Sequence, residues 1–168
     1  MVIKYVGKLS PKYKIYNMIT IEDFKIKHPN KVRFIGLDLG SKRIGVSICD
    51  ERQSIATPFK TINKTNTNEL IDELKIIIEE NNIGGIIVGN PVNMDGTMGR
   101  SAQSVNDVAS NISKNIDLPV ILWDERLSTV AAFNLSSLLD VNVSKRVKTI
   151  DQNAAAFILQ GAIDFLNN

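Results

Sequence analysis

The sequence predicts an α/β protein built on one mixed β-sheet. Three strand-like segments follow one another closely between residues 34 and 62, and two later apolar runs alternate with segments of helical period. The predicted order is βββαβαβαα, an antiparallel meander followed by right-handed crossovers to parallel strands. Because 168 residues suffice for one well-buried core but not for two ordinary domains, a single domain is expected.

The first hairpin carries an acid in an apolar strand. Residues 34–50 read FIGLDLGSKRIGVSICD, with a turn at Gly40–Arg43 and a second strand at Ile44–Cys49. Aspartate is depleted in strand interiors, and a buried carboxylate is costly unless a cation or several donors meet it. Asp38 therefore indicates a functional position.

The rest of the chain supplies strands and helices in alternation. A short helix begins at Thr20, and Pro58 favours an edge position for the third strand of the meander. Periodicity predicts, in order, strand Ser54–Ile62, helix Asn66–Asn81, strand Gly84–Gly89, helix Ser101–Asn115, strand Pro119–Trp123, helix Thr129–Leu139 and helix Ile150–Leu166.

Residues 1–31 are predicted to be a basic N-terminal extension preceding a domain at 32–168. Residues 1–33 hold eight Lys or Arg against Glu22 and Asp23, a charge of +6, while the whole chain carries +2. A basic arm is suited to a polyanion, but a solvated surface segment explains the same composition.

Composition excludes several classes of protein. The chain is 43% hydrophobic and 23% charged, and its apolar runs fall far short of the roughly 20 residues that span a bilayer. The lysine-broken N-terminus does not resemble a secretory signal. A single cysteine, Cys49, allows no internal disulfide, so a cytoplasmic protein without membrane contact is expected.

Two further segments bring acids to the ends of apolar elements. Asp124, Glu125 and Arg126 directly follow a predicted strand, and Asp151 opens the last helix on the stripe of Ala155. A helix cap is the alternative reading of both Asp124 and Asp151. Since clustered carboxylates repel one another unless hard cations lie among them, their convergence with Asp38 predicts a Mg²⁺ or Mn²⁺ site.

Four motifs in this order resemble the YqgF family: GLDLGSKRIGVSICD, VGNPVNMDGTMG, DERLSTVAA and DQNAAAFILQ. The match covers about residues 33–168. That family comprises Holliday junction resolvase-like bacterial proteins with a ribonuclease H-like fold, also assigned to maturation of the small-subunit ribosomal RNA precursor. The resemblance implies a five-stranded mixed sheet of order 3-2-1-4-5, with metal-binding acids at Asp38, in the DER segment and at Asp151.

The mechanism implied is metal-assisted hydrolysis of a phosphodiester. Two ions about 4 Å apart would activate a water and stabilise the leaving 3′ oxygen, with Asp38 bridging them. Asp151 and either Glu125 or Asp124 would complete the coordination, and the reach of Glu125 favours it. Candidate contacts to the nucleic-acid backbone are Lys42, Arg43, Arg100, Arg126, Lys145, Arg146 and Lys148.

Arg43 and Arg126 have an alternative role in structural salt bridges. The loop from Asn90 to Gly96 offers its first carboxylate only at Asp95, so we expect Asn93 and Asp95 to shape a turn instead of binding metal. Trp123 is expected in the core.

The sequence is compatible with several functions. The leading one is nuclease action in 5′-end maturation of pre-16S rRNA, with structured RNA as substrate and the ribosome as a further partner. Alternatives are a Holliday junction resolvase acting on branched DNA, and a non-catalytic nucleic-acid or ribosome-binding protein. The Asp-Gly hairpin also resembles the first phosphate loop of actin-like ATPases, but the chain is too short for two lobes. The protein is expected to be a monomer or a homodimer, and a two-strand cutter favours the dimer.

Overall fold

A computed structural model describes residues 18–27, 30–64, 66–127 and 143–168, with the side chains of 27 and 143–152 left out. The elements, in chain order, are β1 Met18–Ile19, α1 Ile21–Lys27, β2 Arg33–Leu39, β3 Arg43–Cys49, β4 Ala56–Asn63, α2 Thr67–Asn81, β5 Ile83–Asn90, α3 Arg100–Asn115, β6 Val120–Asp124 and α4 Val143–Asn167. None of the helices in this part of the chain is long and apolar enough to span a bilayer.

The sheet is mixed, with the order β1-β6-β5-β2-β3-β4. Strands β1, β6, β5 and β2 pair in parallel, and β3 and β4 continue as antiparallel neighbours. The predicted order 3-2-1-4-5 is confirmed for the strands that it includes. The predicted count of five is wrong, because Met18 and Ile19 pair with Val120 and Ile121 to add a sixth strand. Two residues are too few to give a readable strand period.

Local signals in the sequence position several elements correctly. The Thr20 hydroxyl accepts a hydrogen bond from Asp23 N at 3.1 Å at the start of α1. Asn66 caps α2 by accepting from Glu69 N at 2.9 Å. Strand β4, which contains Pro58, lies at the sheet edge as predicted.

The last helix begins earlier in the structure than the sequence predicts. Helix α4 begins at Val143 instead of Ile150. The sequence predicts no helix immediately before Ile150, where the chain is polar and basic, but this segment contains neither glycine nor proline, and lysine and arginine are good helix formers. The predicted helix Thr129–Leu139 lies outside the described residues.

Each face of the sheet has its own core. Helices α2 and α3 cover one face, where Leu70, Leu74 and Ile77 of α2 are buried. Helices α1 and α4 cover the other face, where Phe34 and Trp123 are buried. The predicted core position of Trp123 is thus confirmed.

The segment before residue 32 is partly packed on this second face. Phe24 is 1% exposed and contacts Phe34 edge to face, with ring centroids 5.1 Å apart. Residues 18–27 are therefore attached to the sheet. The division between an extension and a domain at residue 31 stays a prediction, since residues 1–17 lie outside the described part.

Helix α4 lies very close to β2 at Gly36. A Cβ added there would lie 2.5 Å from Ser47 Oγ, 2.7 Å from Leu159 Cβ and 2.9 Å from Ala155 O. The buried Ser47 hydroxyl donates to Ala155 O at 2.7 Å and so fixes the distance between the helix and the sheet. Only glycine permits this approach.

The direction of α4 follows from its contacts. Near its end, Asn167 Nδ2 donates to Gln53 O, beyond the end of β3 that lies farthest from the hairpin turn. Earlier in the helix, Ala155 faces Gly36, two residues before Asp38. The first turns of α4 therefore lie toward the edge of the sheet at which β2 ends.

Replacing Gly36 with alanine should lower the free energy of unfolding by about 1–3 kcal/mol, because the methyl group has no room beneath α4. Chemical denaturation of the purified variant measures this. Gly99→Ala is the matched control, since its Cβ would find only Asn93 side-chain atoms at 3.4 Å or more. Equal stability of the two variants would contradict the close helix contact.

Candidate functional site

The parallel strands β2, β5 and β6 end at one edge of the sheet. Leu37 of β2 is level with Val88 of β5, which is level with Leu122 of β6. The next positions along these strands are Asp38, Gly89 and Trp123. Ligands of open α/β sheets bind outside the carboxyl ends of the strands. Two of the predicted acidic positions, Asp38 and the DER segment, lie at this edge.

The two acids of the DER segment lie on opposite faces of the sheet. Because successive side chains point to opposite faces, Asp38 shares the α4 face with Phe34 and Gly36. On β6, Trp123 lies on that face and Asp124 belongs to the other. Glu125 lies beyond the end of β6, and the closeness of its Oε1 to Gly89, beside Ile158 of α4, places the carboxylate on the α4 face.

Gly89 makes room for the Glu125 carboxylate over the middle strand. A Cβ on Gly89 would lie 2.6 Å from Glu125 Oε1 and would also collide with Ile158 Cδ1 of α4. Since β5 lies between β6 and β2, Glu125 reaches across the sheet toward Asp38, and neighbouring strands are only about 4.8 Å apart.

The two carboxylates interact electrostatically. Burial raises the pKa of the half-buried Glu125 above its ordinary value, and the negative charges of Asp38 and then Asp124 raise it further. Glu125 therefore resists ionisation where it lies. A cation between Glu125 and Asp38 would instead favour the ionised form of both carboxylates.

Asp124 has a different set of partners. Arg126 Nε donates to both carboxylate oxygens of Asp124 at 3.0 Å, and Arg126 Nη2 donates to Oδ2 at 2.6 Å. The Arg126 backbone N–H also donates to Oδ1 at 3.0 Å, as in a helix cap. The Arg126 side chain, with smaller backbone and charge effects, lowers the pKa of Asp124. Of the readings left open by the sequence, the structural ion pair describes Arg126 here.

Arg126 also contacts the loop that follows β5. Its Nη1 donates to Asn93 O at 3.4 Å. Within that loop, Asp95 Oδ1 accepts from Thr97 N at 2.9 Å and from Thr97 Oγ1 at 2.6 Å, while Asn93 Nδ2 donates to Thr97 Oγ1 at 2.9 Å. The prediction that Asn93 and Asp95 shape a turn is confirmed.

The remaining predicted site residues are only partly comparable. Asp151 belongs to α4, one turn before Ala155, and therefore lies toward the site edge; its side chain is outside the described set. The same holds for the side chains of Lys145, Arg146 and Lys148. Lys42 and Arg43 are exposed beside the hairpin turn of Asp38, and Arg100 is exposed at the start of α3.

The donor set fits a hard divalent cation. Among the side chains that are described, no group of three or more metal-binding residues occurs. Two carboxylates do lie on one face, and one of them has a pKa that the other raises. Oxygen ligands of this type suit Mg²⁺ or Mn²⁺.

Gly89 is the residue whose importance the sequence did not reveal. It occurs in an all-apolar strand, where close packing of the backbone is a sufficient explanation for a glycine. The available signal was its position in the chain, at the end of the strand that crossover topology places between the two acidic ones.

Comparisons with known proteins agree with this architecture. The chain is similar, with 16% identity and a TM-score of 0.53, to the yeast mitochondrial Holliday junction resolvase Ydc2, covering 86% of this chain and 83% of that one. It is also similar to Thermus thermophilus RuvC in complex with a Holliday junction substrate, with 12% identity and a TM-score of 0.51 over 79% and 93% of the two chains. These likenesses establish the fold.

Sequence comparison identifies the family. A "Putative pre-16S rRNA nuclease" of Pelagibacter ubique (strain HTCC1062) is 95% identical over 151 residues, which are 90% of this chain and all of that protein. A protein of the same name from Cereibacter sphaeroides (strain ATCC 17025 / ATH 2.4.3) is 44% identical, covering 88% of this chain and 92% of its own. The model of the family described as "RuvX: Holliday junction resolvase" matches residues 32–165. The chain therefore belongs to the RuvX family, as its resemblance to YqgF proteins implied, and has the ribonuclease H-like fold.

Proposed function

We propose that the protein is a metal-dependent endonuclease that hydrolyses phosphodiester bonds in 5′-end maturation of pre-16S rRNA. The observation that carries the proposal is the pair Asp38 and Glu125, which share one face at the carboxyl edge of the sheet, where burial and then the charge of Asp38 raise the pKa of Glu125. The names of the relatives that are 95% and 44% identical support the reaction and the substrate.

The residues divide into two functional groups. Asp38, Glu125 and Asp151 would hold Mg²⁺ or Mn²⁺, which when bound activates a water and stabilises the leaving oxygen. Gly89 leaves the space that Glu125 needs to reach the site. Asp124 and Arg126 position the DER segment from the other face and, through Asn93, fix it to the loop after β5.

Two alternatives rest on specific observations. The description of the family supports a Holliday junction resolvase acting on branched DNA, and a dimer would then present two sites to the two strands. A non-catalytic nucleic-acid or ribosome-binding protein is supported by Asp95, whose carboxylate is engaged in a turn and adds no ligand.

We expect Asp38→Asn to abolish cleavage of a small-subunit precursor RNA in Mg²⁺ or Mn²⁺ while leaving RNA binding largely intact. Glu125→Gln should slow single-turnover cleavage by about 100-fold or more, because a lost metal ligand removes several kcal/mol of transition-state stabilisation. A four-way DNA junction, tested in parallel, distinguishes the two substrates.

Asp124→Asn is the matched control, since it neutralises the neighbouring carboxylate on the opposite face. It should cleave far better than Glu125→Gln, although it should be less stable because Arg126 loses its partner. If the wild type and Asp38→Asn are equally inert on both substrates with both metals, the protein is not a nuclease.

Glu125→Gln should raise the melting temperature of the metal-free protein at neutral pH. Because the folded protein raises the pKa of Glu125, ionising this residue costs stability above that pKa, and the cost vanishes below the ordinary value of 4.5. The advantage of the variant should therefore disappear as the pH falls below 4.5. Thermal unfolding in chelator measures both.

Adding Mg²⁺ should stabilise the wild type more than Glu125→Gln, since the ion binds the native carboxylates. The control is Glu80→Gln, an exposed glutamate in α2, which should behave as the wild type does. Equal stabilisation of the wild type and of Glu125→Gln by Mg²⁺ would contradict the shared site.

A further inference from the structure

A cavity opens beside the hairpin turn that follows Asp38. It has a volume of about 530 Å³ and is lined by Gly40, Ser41, Lys42, Arg43 and Asn63. The turn lies between β2 and β3, and Asn63 is the last residue of β4, paired with Arg43. The cavity therefore lies on the β3–β4 side of Asp38, away from Glu125.

The chemistry of its lining suits an anion. Lys42 and Arg43 each bring a positive charge, Ser41 and Asn63 bring neutral hydrogen-bond donors, and none of these five described residues is acidic. Lys42 is exposed, so its ammonium is accessible to a ligand. Lysine with hydroxyl, amide and backbone donors is the usual set for a phosphate of a nucleic acid.

The backbone around the cavity is fixed in place. Lys64 N donates to Lys42 O at 3.0 Å, which ties the end of β4 to the turn, and Gly40 N donates to Asp38 O at 3.1 Å. A Cβ on Gly40 would collide with the carbonyl oxygen of Arg43, so only glycine allows the chain to turn this tightly. A site whose backbone is already ordered loses less entropy when a ligand binds.

The distance to the acids is short. Gly40 follows Asp38 by two residues, so their Cα atoms are at most about 7 Å apart. A nucleic-acid strand with its scissile phosphate at Asp38 would thus place a neighbouring phosphate within reach of the turn.

We propose that this cavity is a subsite for a backbone phosphate of the substrate, next to the scissile one and on the β3–β4 side of Asp38. Lys42 supplies charge, and Ser41 and Asn63 donate hydrogen bonds. The inference rests on the proposed nuclease function and adds the side on which the substrate strand is held. Because it concerns the backbone, the same contact serves RNA and DNA.

The test measures binding without cleavage, in the full chain carrying Asp38→Asn. Fluorescence anisotropy with a labelled small-subunit precursor RNA and, in a second arm, a labelled four-way DNA junction gives the binding constant between about 50 and 200 mM salt. Adding Lys42→Ala should reduce the slope of log K against log salt by about 0.7–0.9, the value for one phosphate contact. Lys42→Arg should restore the slope.

Two further variants probe the neutral donors. Ser41→Ala and Asn63→Ala should weaken binding by a similar factor at every salt concentration, because they remove hydrogen bonds and no charge. Lys75→Ala, at an exposed lysine of α2 outside the cavity, is the matched control and should leave the slope unchanged. An effect in either arm supports the subsite and identifies which nucleic acid it holds.

The subsite is overturned if Lys42→Ala has the slope of its parent in both arms and the Ser41 and Asn63 variants bind as tightly as the parent. It is also overturned if the parent binds neither nucleic acid. Failure of the nuclease proposal is separate: a wild type that cuts nothing, together with a slope that depends on Lys42, leaves a binding site without catalysis. Cleavage by the wild type, with no effect of the Lys42, Ser41 or Asn63 substitutions on binding, would refute the subsite alone.

Discussion

The repulsion between Asp38 and Glu125 is the interaction on which the candidate site depends. Partial burial opposes the ionisation of Glu125 and raises its pKa, and the negative charge of Asp38 on the same face raises it further. A protein with no use for this arrangement would gain stability by losing one of the acids. The proposed divalent cation converts that electrostatic cost into binding energy for the ion.

The fold holds this pair together through contacts that are not themselves acidic. Gly36 allows α4 to pack closely on the sheet, and the Ser47 hydrogen bond fixes the distance between the two. Gly89 leaves space for the Glu125 side chain. On the opposite face, Asp124 is engaged in an ion pair with Arg126. Small residues at close approaches and one partly exposed ion pair thus decide which acids face each other.

Much of the architecture could be predicted from the sequence, because its signals are local. The Asn66 cap, the Pro58 edge strand and the stripe of Leu70 follow from rules that act over a few residues. The pairing of Met18 with Val120 could not be predicted, since two residues carry no period and the contact joins distant parts of the chain. The start of α4 at Val143 could not be predicted from apolar periodicity, because the residues before Ile150 are mostly polar and basic.

The site was predictable as a set of acids but not as a geometry. Carboxylates at the ends of apolar elements indicate Asp38 and the DER segment as site residues. From the sequence, the preference for Glu125 over Asp124 rests only on side-chain reach. The structure gives the stronger reason, because Asp124 lies on the face opposite Trp123 while the Glu125 carboxylate lies by Gly89 on the α4 face. The role of Gly89 depends on the neighbouring strands and on α4, and no local signal encodes those distances.

The most direct measurement is the titration of the Glu125 carboxyl carbon by NMR in the wild type and in Asp38→Asn, each with and without Mg²⁺. We predict that the pKa of Glu125 is raised in the metal-free wild type and is lower in metal-free Asp38→Asn. Adding Mg²⁺ to the wild type should also lower this pKa below its metal-free value. A Glu125 pKa at its ordinary value, insensitive to both Asp38→Asn and Mg²⁺, would contradict the shared site.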